Sequence, residues 1–463
     1  MTNRSRKVDL VLMVLLLFVA VPLVNACSSA PAVSPTAATA TPAAASAAPA
    51  AASVAPAAAS AKPATAPAGA EIVIGVAADL TGPFAMSGIA QNAGQVAYAR
   101  YVNEKLGGVN GVKVKLVTVD TSFDTNAEVA AYKRFRDVDK ALWMGNLSAD
   151  AALAIAPLAE EDGMIHSTVS DPLVTFRGPN GWYFPIQPML QDGGGAAFTW
   201  WYQNVWKKAN PDKPPKVALI NIDALSGKTN SKYFNAILKQ MNIPVVVDMF
   251  TPWGIPDTTN YVTAMKEKQA DVVVSLEADS IWGIMFKDMK RLGVNIPVIS
   301  SLNSVLSSDV AASMGPAGVG TLSYLFTNTW DDTSSQSIQN LRSAYKEWYP
   351  GVEERRIVFY KGWEEMSIAL EGVRIALNNV SYDGLTKDIK KGRAALRDAM
   401  YQINGFTADG LLPPVKYSKD DRRPYGKVKV ARVGEGGKME ILSDWVDVPS
   451  ITPEMKAAAW WSR

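Results

Sequence analysis

The 463-residue chain contains one cysteine, Cys27, and one histidine, His166. A lone thiol closes no internal disulfide. A lone imidazole with no second thiol leaves no nucleophile–base pair of the usual kind. Charge of one sign is also missing: 46 Lys and Arg face 44 Asp and Glu. No basic stripe is interleaved with aromatics, so no nucleic-acid partner is expected. The run Asp192-Gly193-Gly194-Gly195 reads as a turn or helix start rather than a phosphate loop. Neighbouring acids such as Glu160–Glu161, Asp331–Asp332 and Glu364–Glu365 are expected to point apart on solvated faces. His166 is expected at a strand end with a local hydrogen bond rather than as a ligand or base. From these absences the chain is expected to have no catalytic residue, no metal and no cofactor.

Long apolar runs are absent too, with one exception at the start. Arg4, Arg6 and Lys7 precede Leu10–Ala26, LVLMVLLLFVAVPLVNA, in the charge-then-apolar order of an export signal. An uncleaved membrane anchor is the alternative, although Pro22 and Asn25 weaken it and the run sits at the short limit of a span. The tetrapeptide Val24-Asn25-Ala26-Cys27 resembles a bacterial lipobox. That implies cleavage and acylation of Cys27, hence a lipid anchor on the extracytoplasmic face of the membrane. Residues 28–70 follow with seven prolines, two valines, no aromatic residue and Lys62 as the one charge. Such a segment has nothing to bury against its ordering entropy and reads as a disordered tether. Stretched in a polyproline-like form it spans on the order of 130 Å.

The rest is too long for one core and suits two lobes. EIVIGVAA (71–78), KVKLVTVD (113–120) and ALWMGN (141–146) read as strands, separated by helical stretches. The series restarts with KVALINID (216–223), PVVVDMF (244–250), DVVVSLE (271–277) and PVISS (297–301). Apolar strands alternating with helices predict parallel sheets covered on both faces, here two doubly wound α/β lobes.

Five segments in this order resemble the solute-binding proteins of ABC transporters, of the leucine/isoleucine/valine-binding type with the type I periplasmic fold. They are IGVAADLTGPFAMSG (74–88), GNLSADAALAIAPLAEEDGMI (145–165), HSTVSDPLVT (166–175), KVALINIDALSGK (216–228) and ADVVVSLEADSIWGIMFKDMKRLGVNIPVISS (270–301), and residues 405–432 look like the closing strands. The resemblance implies two Rossmann-like lobes joined by three crossovers near Gln187, Thr327 and Gly405. The expected division is a signal peptide at 1–26, the tether at 27–70, a first lobe at 71–187 with 328–405, a second lobe at 188–327 with 406–449, and a tail at 450–463. Solute sits between such lobes, facing helix N-termini, and hinge bending closes them over it.

Relatives of this kind hold an amino-acid carboxylate with a serine at the start of the helix after the third strand, where Ser148 and Ala149 stand here. Thr168 and Ser170 occupy the next contacting loop. The family's aromatic in the first turn falls on Ser87, its second-lobe tyrosines on Ser226 and Ala278, and its ammonium-binding glutamate on Leu302, beside Asn303. Asp279 or Glu277 is placed to substitute for that glutamate. Ser148 alternatively serves only as a helix cap. Without the family's acid, a bare ammonium in a closed cleft lacks compensation. The expected solute is therefore larger than a branched-chain amino acid, in a roomier and less charged pocket: an aromatic or aliphatic acid, an amide or a peptide-like molecule. Trp253, Trp282 and Trp330 are candidates to stack on it. Asp150 would oppose a ligand carboxylate if it faced the cleft. The implied function is capture of a small solute for an ABC permease and its ATPase, by a monomer. The alternative is a sensing module of the same fold, which is disfavoured by the lack of a kinase, methyl-accepting or DNA-binding segment after the fold.

Overall fold

The computed structural model describes residues 66–168, 171–177, 181–457 and 460. Cys27 and Ser170 lie outside the described residues. The first sheet is all parallel, in the order β2 (Lys113–Asp120), β1 (Glu71–Ala78), β3 (Trp143–Gly145) and β4 (Ile165–Ser167). Helices α1 (Ala85–Lys105), α2 (Thr125–Asp137) and α3 (Ala149–Asp162) connect its strands. Their ends follow from local chemistry. Asp124 caps α2 by accepting from the Ala127 amide at 2.8 Å. Ser148 caps α3 by accepting from the Ala151 amide, and Gly163 ends it in the left-handed conformation at φ 67°.

The chain then builds a second sheet. α4 (Leu190–Trp201) and α5 (Lys207–Ala209) lead into β5 (Val217–Ile222), α6 (Leu225–Gln240), β6 (Val245–Thr251), α7 (Thr259–Glu267), β7 (Val272–Leu276), α8 (Trp282–Leu292), β8 (Val298–Ser300), α9 (Ser308–Met314) and β9 (Leu322–Leu325). β5 and β7 are buried along their whole length, which is why they are continuous apolar runs without alternation. The sequence DGGG opens α4. Its Gly193 lies where a Cβ would fall 2.3 Å from the Tyr324 ring of β9, so these glycines serve close packing.

After β9 the chain returns to the first sheet as α10 (Gln336–Trp348), α11 (Ile357–Thr386) and α12 (Ile389–Met400). α11 bends at Ser381, φ 64°. It packs on α1 through mutual small residues. A Cβ at Gly94 would fall 2.0 Å from the Phe359 carbonyl oxygen, and one at Gly362 would fall 1.9 Å from the Gln91 oxygen. A short antiparallel pair, β10 (Asn404–Phe406) with β11 (Val415–Lys416), precedes a last passage to the second sheet. There β12 (Lys427–Val433) lies antiparallel to β9, and both β13 (Met439–Ile441) and β14 (Val446–Asp447) pair with it. α13 (Pro453–Lys456) follows. Two wound α/β lobes are what the alternating pattern predicts, and the three passages between them are what the family resemblance implies. The antiparallel edge around β12 is the part that periodicity did not specify.

Candidate ligand cleft

The wall from the first sheet begins where β1 ends. Asp79 is fully buried, and its Oδ1 accepts from the Thr121 hydroxyl at 2.8 Å and the Phe123 amide at 2.7 Å. Asp120 accepts from the Thr81 hydroxyl at 2.8 Å and the Leu80 amide at 3.0 Å. Together they hold the turn after β2, in which Ser122 and Phe123 are left-handed at φ 53° and 61°. Such backbone is costly for residues with a Cβ, and it persists where surrounding bonds over-determine it. Its result is the placement of one ring. Phe123 stacks on Phe84 with centroids 4.2 Å apart. Trp253, in the loop after β6, meets Phe84 and Phe123 edge-on at 5.0 and 6.0 Å. The three rings, drawn from both lobes, form one side of a cavity of about 120 Å³.

Leu147, Ala149 and Asp150, at the start of α3, form the next part of the wall. Asp150 thus does face the cleft. Burial raises its pKa, opposed by Lys228. The opposite wall comes from the ends of β5, β7 and β8: Ser226, Leu276, Glu277, Ala278, Leu302 and Ser304. Burial pushes Glu277 up to about 8, against the Thr251 hydroxyl, which lies 2.9 and 2.7 Å from its two oxygens. Just behind, Asp279 accepts from Ser87 at 3.0 Å and from Ser304 at 2.5 Å, and burial raises its pKa too. The Ser87–Asp279 bond joins the two lobes directly. Val358 and Lys361 of α11 complete the lining. Lys361 is 5% exposed, and burial pushes it down to about 8, opposed by Asp279 and Glu364.

Of the residues singled out from sequence, Ser87, Ala149, Ser226, Ala278 and Leu302 lie in this wall, with Asp279 bonded to two of its serines. Ser148, Thr168 and Asn303 are buried but do not reach the cavity. Trp253 lines it, whereas Trp282 and Trp330 are buried elsewhere. Phe84, Phe123, Leu190 and Lys361 were not foreseen. Several expectations need correcting. The pocket is not poor in charge, because Asp150, Glu277 and Lys361 all line it. Nor is the acid pair on α11 solvated, since Glu364 and Glu365 are both fully buried.

They do point apart. Glu364 accepts from the Tyr425 hydroxyl at 2.5 Å, and its pKa lies well above the usual range through burial. Glu365 accepts from Ser167, from Gln95 at 2.7 Å and from Gln91 at 3.3 Å, and burial pushes it up to about 7. His166, inside β4, also departs from expectation. Neither ring nitrogen has a hydrogen-bond partner among the described residues, and burial, then Arg422, pushes its pKa down to about 3. Among the described residues no group of three His, Cys, Asp or Glu is placed to hold a metal. None of their helices is long and apolar enough to cross a membrane.

A family model described as periplasmic binding protein matches residues 71–438. A Leu/Ile/Val-binding protein homolog 3 of Brucella melitensis is 28% identical over 280 residues, 60% of this chain and 72% of the relative. The fold is shared with a branched-chain amino acid ABC transporter protein of Thermus thermophilus with bound valine, at TM-score 0.68 and 18% identity over 82% of this chain and 96% of that one. It is equally shared with a fatty acid ABC transporter substrate-binding protein of Thermomonospora curvata, at TM-score 0.68 and 18% identity over 82% of this chain and 92% of the other.

Proposed function

Because the chain belongs to the periplasmic binding protein family, we propose that it is the extracytoplasmic solute-binding component of an ABC importer. It captures a small organic solute, amino-acid-like, an amide, or an aromatic or aliphatic acid, and presents it to a permease. The observation that carries this reading is the cleft itself. Its walls are strand and helix ends from two lobes, where doubly wound sheets place ligands, and they meet through the Ser87–Asp279 bond and the Phe84–Phe123–Trp253 cluster. Bonds of that kind, made across a hinge, are the ones that opening breaks and closing remakes.

The site chemistry supports binding rather than turnover. Glu277 and Asp279 are engaged by protein hydroxyls, and the one histidine is buried without a hydrogen-bond partner among the described residues. The test is a thermal-shift screen of the full chain over amino acids, amides and small carboxylic acids, with X-ray scattering on each hit. A rise in melting temperature together with a smaller radius of gyration is expected for at least one compound. No stabilising compound and unchanged scattering, or detectable turnover of any of them, would remove the proposal.

The lipobox-like residues extend it to the membrane. Acylated Cys27 would keep the binding protein beside its permease, and residues 28–70 would serve as the leash. Replacing Cys27 with serine should release the protein from the membrane fraction and abolish labelling by a fatty-acid analogue.

A further inference from the structure

We propose that the Lys361 ammonium anchors the head group of the solute, and that the solute is a compact monocarboxylate with an apolar aryl or branched-alkyl body. This rests on the reading of the cleft as a solute site and narrows its chemistry.

Lys361 lies in the first turns of α11, lines the cavity and is 5% exposed. Among the described residues, none accepts a hydrogen bond from it or stands within ion-pair distance. Three acids around it are differently placed. Asp279 takes the hydroxyls of Ser87 and Ser304, Glu277 takes that of Thr251, and Glu364 takes that of Tyr425. These three acids are thus supplied with donors by the protein, while the cation is left without an acceptor. Asp150, at the start of α3, also lines the cavity and takes no protein hydroxyl among the described residues; burial raises its pKa, which favours the uncharged acid and lessens its opposition to a carboxylate. A nearly buried, unpaired ammonium is expensive. A carboxylate placed against it supplies the missing acceptor through a charge-assisted hydrogen bond.

The rest of the cavity sets the body of the ligand. Phe123, Leu147, Leu190, Leu302 and Val358 surround it. Its volume of about 120 Å³ is somewhat below the roughly 150 Å³ of an apolar cavity that accepts benzene. A phenyl or isobutyl group matches that space, which reverses the expectation of a solute larger than a branched-chain amino acid; a peptide or a long acyl chain does not fit this arrangement of the lobes. A zwitterionic amino acid fits less well. Its ammonium would share the cavity with Lys361, and both acids that line it, Glu277 and Asp150, are shifted by burial towards the uncharged form.

The experiment measures binding of benzoate, phenylacetate and isovalerate to the full chain, beside benzamide, phenylacetamide and isovaleramide, with leucine and phenylalanine included. At least one acid should bind about 30-fold more tightly than its own amide, the usual scale for a hydrogen bond to a charged group. Lys361→Gln should weaken that acid by a similar factor and leave its amide unchanged, and Lys361→Arg should retain most of the affinity. An amide that binds as well as its acid overturns the inference, and so does a Lys361→Gln protein that keeps the acid. If that variant does not fold, the acid–amide comparison on the wild type decides alone. Binding of leucine or an amide with no binding of any acid removes the carboxylate anchor but leaves the solute-binding reading standing. No binding by any compound here, with none in the wider screen, removes both.

Discussion

The two walls of the cleft solve the burial of charge differently. On the second-sheet side, Glu277 and Asp279 are set among Thr251, Ser304 and the incoming Ser87, so each carboxyl has protein donors. On the first-sheet side, Lys361 is carried by the buried first half of α11, with no acceptor provided among the described residues. A wall whose polar groups are already satisfied can close without help, whereas a wall with an unmatched charge is complete only with a guest. The asymmetry also reaches into the frame. The first wall depends on helix–helix contact between α1 and α11 at Gly94 and Gly362, and the second on strand ends.

Three perturbations separate the walls, in falling order of effect. Gly362→Val would force α11 away from the Gln91 carbonyl of α1. It should cost about 3 kcal/mol in urea unfolding, the upper range for overpacking. Hydrogen exchange should then show protection lost in α1 and α11 while β5 and β7 keep theirs; uniform loss across both sheets would show that the frames are not separable in this way.

Second comes acid. His166 belongs to the first sheet and is held down to about 3, against about 6.5 in an unfolded chain. Below pH 6.5 the unfolded chain takes up the proton and the folded one does not. Stability present above pH 6.5 is therefore lost as the pH falls towards 3, by about 2.7 kcal/mol at pH 4.5. Glu277 and Glu365 work the other way, being pushed up to about 8 and 7, so they favour the folded state as the pH drops. The informative quantity is the difference between proteins. His166→Phe, which removes two unpaired ring nitrogens, should unfold less readily at pH 4.5 than the wild type. Identical pH slopes would mean that His166 titrates normally.

The smallest effect is at the seam. Ser87→Ala removes one hydrogen bond between lobes and should shift the unloaded protein towards an open form by about 1 kcal/mol. Scattering would show this as a larger radius of gyration. An unchanged radius would assign the closed arrangement to the Phe84–Phe123–Trp253 contacts instead.

The frame was largely legible in the chain, because strands buried on both faces must be apolar runs and helices must be capped. The predicted 71–78 and 113–120 coincide with β1 and β2, and the segment from Gly145 to Gly163 holds its strand end, its Ser148 cap and its left-handed terminus. The cleft was only partly legible. Ser87, Ser226 and Ala278 were found through resemblance, which transfers positions from relatives that contact their ligands there. Phe123 was missed because its exposure to the cleft comes from a left-handed turn fixed by Asp79, forty-odd residues earlier in the chain. Lys361 was missed for a different reason. α11 is apolar around most of its circumference, so no stripe tells which face meets the cleft, and the adjacent Glu364–Glu365 pair looks like solvent-facing charge. A lysine and two glutamates within the apolar opening turns of the helix were the signal available.

Tyr425 lies on the last passage between the sheets, and its hydroxyl reaches both the Phe326 carbonyl, at 3.3 Å, and Glu364. Glu364 stands one helical turn after Lys361. Two of the three linkers are therefore pinned to the same stretch of α11 that presents the lysine, so the pivot and the grip share a single stiff mount.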